Sequence, residues 1–441
     1  MQRMHLDAVV VGAGSAGTAA AWQMARRGLK VALLERRDRQ EAGARWRNAI
    51  PVWMFHDSGI PTPAPPERRG GHEPIVLVSG DEGLRCRIPV GPWWQVDMGL
   101  FVARLHKMAE DAGVVLLDRV ELEEVVLDGT RPVALRVQRL GERFRLRASL
   151  FVDASGMEGA LRSRVPDLAR HTPSVTLDHT CVALQEVREV ADPAGALRFL
   201  ERHDTPLGEN LTWVGVTSGF STFAVGLGAD LDEVDLLAGA AASRTDAPRM
   251  LEEFCAREGW VGDKVLGGGG SIPLRRPYDR LASAGVALLG DAACQVYSAH
   301  GSGVGMGLLA GRQLAEVVTT YEDPGSEEAT WAYQARFMRK HGGLLAATDL
   351  FRRTSQALGP DQVAALFRMG LIEPGGSQQG LEQRFPTPNL RSAAASVRGL
   401  VREPRLTLGF AATLRKMGQA RALYARYPAR PDMEALRDWS T

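Results

Sequence analysis

The sequence predicts an α/β protein with three parts: a domain built on a parallel sheet, an inserted and mainly antiparallel β domain, and a helical C-terminal region. Three observations carry this expectation. A strand, a glycine turn, a helix and a second strand follow one another from Leu6 to Arg36. Strand-like runs dominate between 172 and 275. From Glu327 onward the pattern is helical and rich in arginine.

The first stretch is the most specific. Ala8 to Val11 is a short apolar run of the buried-strand type. Gly12, Gly14 and Gly17 then form G-x-G-x-x-G, with Ser15 and Ala16 inside it. The first glycine permits a tight turn, the second lets a pyrophosphate approach the backbone, and the third lets helix and strand pack closely. Ala19 to Arg27 reads as a helix whose N-terminus offers free N–H groups and partial positive charge to phosphates. Lys30 to Leu34 is a second buried strand. Glu35 follows Gly17 by eighteen residues, close to the spacing of an acid that grips a ribose. The stretch therefore reads as a dinucleotide site. Arg36, Arg45 and Arg47 follow, and an arginine there can fold back on a pyrophosphate as a bidentate donor.

The next elements follow in order. Pro61, Pro63, Pro65 and Pro66 mark a loop. Ile75–Ser79 and Leu84–Val90 read as strands around a turn. Val96 to Asp111 is amphipathic. Val114–Leu117, Val120–Leu127, Ala134–Gln138 and Phe144–Val152 read as strands, the last leading into Asp153-Ala154-Ser155-Gly156. In the β-rich part, Val175–Val187, Leu211–Val216 and Thr222–Leu227 are strand-like. Ala194–Arg202, Leu231–Ala242 and Pro248–Glu258 read as helices, and Gly267–Pro273 as a flexible approach. Val286–Leu289 is a third buried strand, ending in Gly290-Asp291, and a long apolar helix starts near Gly303. The expected division places 1–75, 95–171 and 275–326 in the cofactor domain, 76–94 and 172–274 in the β-rich domain, and 327–441 in the helical region.

Composition narrows the classes. A net charge of +1 over 441 residues argues against a nucleic-acid partner. Cys86, Cys181, Cys255 and Cys294 show no C-x-x-C spacing, which argues against a metal site or a disulfide framework and suits a reducing, cytoplasmic setting. No apolar run is long enough to span a bilayer. Between Arg391 and Arg430 there are nine basic residues and one acid, Glu403. That stretch is either a solvated helical face or a surface for anionic lipid or an acidic partner, with peripheral membrane contact as the sharper expectation.

Three segments stand in order: GAGSAG, VDASG and LLGDAA. In this order they resemble the flavoproteins of the p-hydroxybenzoate hydroxylase fold, over roughly Leu6 to Val318. The resemblance implies a Rossmann-like FAD-binding domain with an inserted substrate domain. It implies that Asp291 holds the ribityl chain of FAD. It also implies that Gly301, Ser302 and Gly303 sit over the flavin ring, where helix-start donors favour the reduced, anionic ring. Gly12, Gly14, Ser15, Ala16, Gly17, Glu35, Arg36, Arg45, Arg47, Val120, Asp153, Gly156, Gly290 and Val304 complete the expected FAD contacts. With one nucleotide-binding repeat, NAD(P)H or another external donor, or an electron-donor partner protein, is expected to visit without a domain of its own.

This sequence departs from the pattern at Ser298, where proline is usual, at Ala154-Ser155-Gly156 for A-D-G, and at Val96-Asp97-Met98 for V-D-R. No lysine occurs between Lys30 and Lys107, and the W-x-W-x-I-P motif is missing. Both count against a halogenase. The span GGGGSIPLRRPYDRLASAGVALLGDAA looks most like geranylgeranyl reductases. The expected reaction is reduction of carbon–carbon double bonds in a hydrophobic prenyl, polyketide or aromatic molecule. A flavin monooxygenase and a non-catalytic electron-relay module stay open, because the shared motifs specify FAD and not the reaction. His300, Tyr297 and Cys294 follow Asp291 closely and are the candidate catalytic residues. His300 leads them as an acid/base group that titrates near neutrality. Trp53, Phe55, Trp93, Trp94, Trp213, Phe220 and Phe223 are candidate linings of an apolar pocket.

Overall fold

The computed structural model describes residues 5–80, 82–91, 93–243, 246–385, 387 and 399–440. Arg391 and Arg398 of the basic stretch lie outside these residues. The chain forms an eight-stranded sheet, a seven-stranded sheet and a three-stranded sheet, with helices gathered at the C-terminal end.

The core of the eight-stranded sheet is parallel, in the order Val286–Leu288, Glu142–Asp153, His5–Val11, Val31–Leu34, Val115–Leu117. Its register places one functional level. Val11 pairs with Leu34 and with Asp153, Leu34 with Leu117, and Asp153 with Leu288. These strands therefore end side by side, and the turns after them open on one edge, where α/β sheets bind ligands. The helix Ser15–Ala25 covers the sheet and packs on the helix Val304–Val318 through small residues. A Cβ on Gly307 would lie 2.8 Å from Ala16 Cβ, and one on Gly311 would lie 3.0 Å from the Ala20 nitrogen.

The seven-stranded sheet runs Val261–Pro273, Thr180–Val190, Glu233–Ala241, Thr222–Leu227, Asn210–Val214, Ile75–Ser79, Arg85–Ile88. Two sequence expectations are corrected here. Leu231–Ala242 is not a helix: Glu233–Ala241 is a central strand. Its alternate residues Val234, Leu236, Ala238 and Ala240 enter the core under the helices Pro193–Arg202 and Asp246–Arg257. Period two governs its burial, and two sheet partners outweigh its leucine-rich helix propensity. Gly267–Pro273 is not a free approach either. It is the end of a thirteen-residue edge strand paired with Thr180–Val190.

Trp93–Asp97 is one strand of the three-stranded sheet and crosses the expected boundary at residue 94. Most of the candidate pocket aromatics are ordinary core. Phe55 meets Phe101 edge-on, and Trp213 and Phe223 pack with Phe199 and Phe254 under the helices.

The C-terminal helices are tied to the rest by a buried ion pair. Arg352, 2% exposed, bonds Asp349 on its own helix and the carbonyls of Leu274 (2.7 Å) and Asp178 (3.1 Å). Arg353 closes on the same carboxylate at 2.9 Å. Removing one partner strands the other charge in the interior. Asp349→Ala is therefore expected to destabilise the protein by about 3–5 kcal/mol, measured by urea unfolding, and Asp349→Asn by less.

Candidate FAD site

The turns at the ends of the parallel strands enclose a cleft of about 640 Å³. Of the expected cofactor residues, Gly12, Gly14, Ser15, Ala16, Glu35, Arg36, Val120, Gly156, Gly290, Asp291, Gly301, Gly303 and Val304 line it. Two helices begin on it, Ser15–Ala25 and Val304–Val318, and neither has a side-chain cap. Their first N–H groups are thus left for a ligand, as an anion or a carbonyl-bearing ring requires.

Each glycine of the first turn meets a different constraint. Gly12 has φ +104°, and a Cβ there would overlap the Ala154 carbonyl. A Cβ on Gly17 would overlap the Gly12 carbonyl oxygen, so Gly17 serves helix–strand packing and not the cleft wall. A Cβ on Gly14 would meet only Gly43 Cα, at 3.6 Å, and its larger homologues would grow into the cleft. Glu35 is buried and already busy: its carboxylate takes the Ala13 N–H at 3.1 Å and the Arg37 N–H at 3.0 Å. It holds the glycine turn against the second strand and keeps unused lone pairs for a ribose.

Asp291 is the counterpart in the late motif. Burial alone pushes its carboxyl up to about 6. A shielded carboxylate facing a cleft suits a ligand hydroxyl. With the uncapped helices and the space at Gly14, it makes the cleft fit FAD.

The structure does not bring every expected residue to the wall. Arg47 turns to the seven-stranded sheet, pairing with Glu233 at 2.7 Å while its N–H meets Gln185. Arg45 pairs with Glu41 at 3.1 Å and lines a neighbouring hollow. Asp153 is fully buried. It accepts from the N–H groups of Ser155, Leu161 and Arg162 and from the Ser155 hydroxyl, so it shapes the turn that carries Gly156. Ser302 is held from behind by Gln383, whose Nε2 donates to its hydroxyl at 3.0 Å. Cys294 is buried in the left-handed conformation (φ +54°) and hydrogen-bonds Tyr278, and burial raises its thiol to about 11. A thiol so placed stays protonated at neutral pH.

Tyr297 and Ser302 bridge the base of the loop that carries His300 and Gly301. Tyr297 is buried, and its hydroxyl is held well above the usual tyrosine range. His300 stacks obliquely on Tyr297, with ring centroids 4.8 Å apart, and its Nε2 lies 3.2 Å from the Gly380 carbonyl. A carbonyl only accepts, so Nε2 carries a proton here. The ring is open to solvent, yet the protein around it lowers its pKa, against the pull of the carbonyls of Gly380 and of His300 itself.

Several contributors were missed from the sequence. Trp46 lines both the cleft and the neighbouring hollow and lies over the glycine strand, where a Cβ on Gly270 would come within 2.7 Å of its indole. Gly269 to Ile272 form part of the wall. From the C-terminal region, Gln383 is buried with φ +55°, and its Oε1 has no partner among the described residues. Trp53 donates to the Glu382 carbonyl at 2.9 Å, joining that segment to the helix Val52–Ser58. The glycine run was the available signal for Trp46; nothing local announces Gln383.

Gly14 and Gly17 separate binding from folding. Gly14→Val is expected to keep the melting temperature near the parent's and lose bound FAD. Gly17→Val is expected to lower the melting temperature sharply. Flavin absorbance and thermal melts on the two proteins check this.

Residues 7–65 match the family described as FAD dependent oxidoreductase (DAO). Along the whole chain, the protein is 25% identical to a digeranylgeranylglycerophospholipid reductase of Sulfolobus acidocaldarius, covering 96% of that protein. It is 28% identical to a geranylgeranyl diphosphate reductase of Rhodobacter capsulatus over 77% of this chain and 81% of the relative. Among solved structures, a geranylgeranyl bacteriochlorophyll reductase-like protein of Thermoplasma acidophilum superposes with a TM-score of 0.74 at 15% identity, covering 93% of this chain and 100% of that one. A flavin-dependent brominase superposes with a TM-score of 0.64 at 16% identity, covering 91% and 99%. The likeness, the three motifs and the cleft agree: the chain is an FAD-dependent oxidoreductase, similar along its length to geranylgeranyl reductases.

Proposed function

We propose that this oxidoreductase reduces carbon–carbon double bonds in an elongated, prenyl-type hydrophobic substrate, using electrons from NAD(P)H or another external donor. The observation that carries the reading is a row of small residues on the face of the seven-stranded sheet opposite the helices Pro193–Arg202 and Asp246–Arg257. In register across five strands stand Gly270, Ala183, Gly239, Thr222 and Val214. At about 4.8 Å per strand the row is on the order of 19 Å long. It starts at the cleft wall, where Gly270 lies under Trp46; Ala183 and Thr222 are half-buried, Gly239 is buried, and Val214 at the far end packs against the cluster of Leu358, Val363, Leu366 and Met369. A long, thin apolar molecule fits such a row better than a compact aromatic one. The likeness to reductases named for geranylgeranyl substrates supports the same reading.

When bound, FAD supplies the two-electron chemistry. The helix starts at Ser15 and Val304 would hold it through backbone donors, Glu35 and Asp291 through its hydroxyls, and Gly301 and Gly303 by allowing close approach. Ser302 and Gln383 fix the loop around those glycines. His300, next to the Gly301 that lines the cleft, handles the proton: its ring is neutral at pH 7, with Nδ1 as its acceptor. Tyr297 keeps its proton and supports the imidazole.

Anaerobic incubation of the reduced enzyme with a geranylgeranyl substrate tests the reaction. The expected product gains two hydrogens per turnover, and Ala183→Phe abolishes this while leaving flavin content intact. A product that gains one oxygen in air instead would mark a monooxygenase and end the reductase reading.

His300→Ala is expected to keep FAD and the melting temperature but slow turnover by about 10²–10⁴-fold. The parent's pH–rate profile should bend below the ordinary histidine value of 6.5, because the ring's pKa is lowered, and the variant's should lose that bend.

A further inference from the structure

The helix Pro404–Ala425 buries one face on the protein body through Thr407, Thr413, Met417 and Tyr424. Its outer face has an unusual composition. Leu408 is 59% exposed, Leu414 53% and Leu423 38%, and just ahead of the helix Leu400 and Val401 are 47% and 82% exposed. Arg405, Arg415, Lys416 and Arg426 stand exposed among them. At 3.6 residues per turn, Leu408, Ala412, Arg415, Gln419, Leu423 and Arg426 fall in one line. From Leu400 to Pro431 the sequence has seven basic residues and one acid, Glu403.

Exposed leucines alone do not identify what covers them; the charge does. A second copy of the chain would bring the same predominantly basic surface against itself, and two cationic faces repel. An anionic bilayer satisfies both components. Leucines enter the boundary between head groups and acyl chains, and arginine stems lie along it with their guanidinium groups among the phosphates. The helix is also mechanically joined to the cofactor site. Tyr424 bonds Arg276 at 3.2 Å, and the Arg421 guanidinium lies 4.9 Å over the ring of Phe385, two residues from the Gln383 that holds Ser302.

We propose that the outer face of Pro404–Ala425 is a membrane-docking surface for anionic phospholipid, laying the helix along the bilayer plane and the protein body against it. This goes beyond the reductase reading and holds whatever hydrophobic molecule is turned over.

The test floats the FAD-loaded full-length protein with vesicles of phosphatidylcholine and phosphatidylglycerol, and with vesicles of phosphatidylcholine alone. The expected result is flotation with the anionic vesicles, on the order of tenfold weaker with the neutral ones and weakened by salt. Arg415→Glu with Arg426→Glu should lower binding to anionic vesicles by about tenfold or more. Leu408→Ser with Leu423→Ser should lower it as well, and both variants should retain bound flavin and the parent melting temperature. Equal binding to neutral and anionic vesicles overturns the proposal, as does charge-reversed protein that binds like the parent. Protein that stays in solution and sediments as a dimer that the Leu408→Ser and Leu423→Ser changes dissociate also overturns it, assigning the face to a second copy.

Discussion

Everything at the cofactor cleft depends on how closely two helices approach each other. Ser15–Ala25 and Val304–Val318 come from opposite ends of the parallel-sheet domain, yet their first turns must open on the same space. Ala16 and Ala20 on one helix meet Gly307 and Gly311 on the other with no room for larger side chains. Met54 presses on Gly305 from the next helix, where a Cβ would overlap its sulfur. Close backbone approach is the condition for two dipole ends to act on one ligand, since their influence falls off within a turn. The register of the strands does the rest by ending Val11, Leu34, Asp153 and Leu288 at one level.

A second contact sets the substrate sheet against this frame. Arg47 and Gln95, on paired strands of the three-stranded sheet, reach across to Glu233, Gln185 and Asp235 of the seven-stranded sheet. Asp235 sits deep enough that its carboxyl is raised to about 6 despite the nearby Arg47. These bonds fix the angle at which the row of small residues meets the cleft. Buried polar groups of this kind hold one geometry firmly because any other leaves them unpaired.

What was legible in the sequence was steric and local. Gly12 and Gly17 announce themselves because a side chain there would meet backbone, and Gly14 because a larger one would grow into the cleft; their spacing follows from one turn. Gly301 and Gly303 were legible only through the resemblance to the flavoproteins. Arg45 and Arg47 were not, because the choice between pyrophosphate and Glu41 or Glu233 is made by partners far along the chain. The strand Glu233–Ala241 hides behind leucines and alanines that favour helix until two neighbouring strands claim it. Gln383 comes from a region whose local pattern is plainly helical, and only the folded chain shows that it stands behind Ser302.

Asp291 carries a consequence for the protein's life before it acts. Its folded-state value near 6 lies above the ordinary carboxylate value of 3.8. A raised acid costs nothing at low pH, where both folded and unfolded chains hold the proton. The cost grows as pH climbs through the unfolded value and is complete above the folded one. At neutral pH the empty protein therefore bears the whole of it. A ligand hydroxyl donated to Asp291 removes that burden, and any ligand that binds only the folded chain adds its own stabilisation. The newly made chain is thus at its weakest until it is loaded.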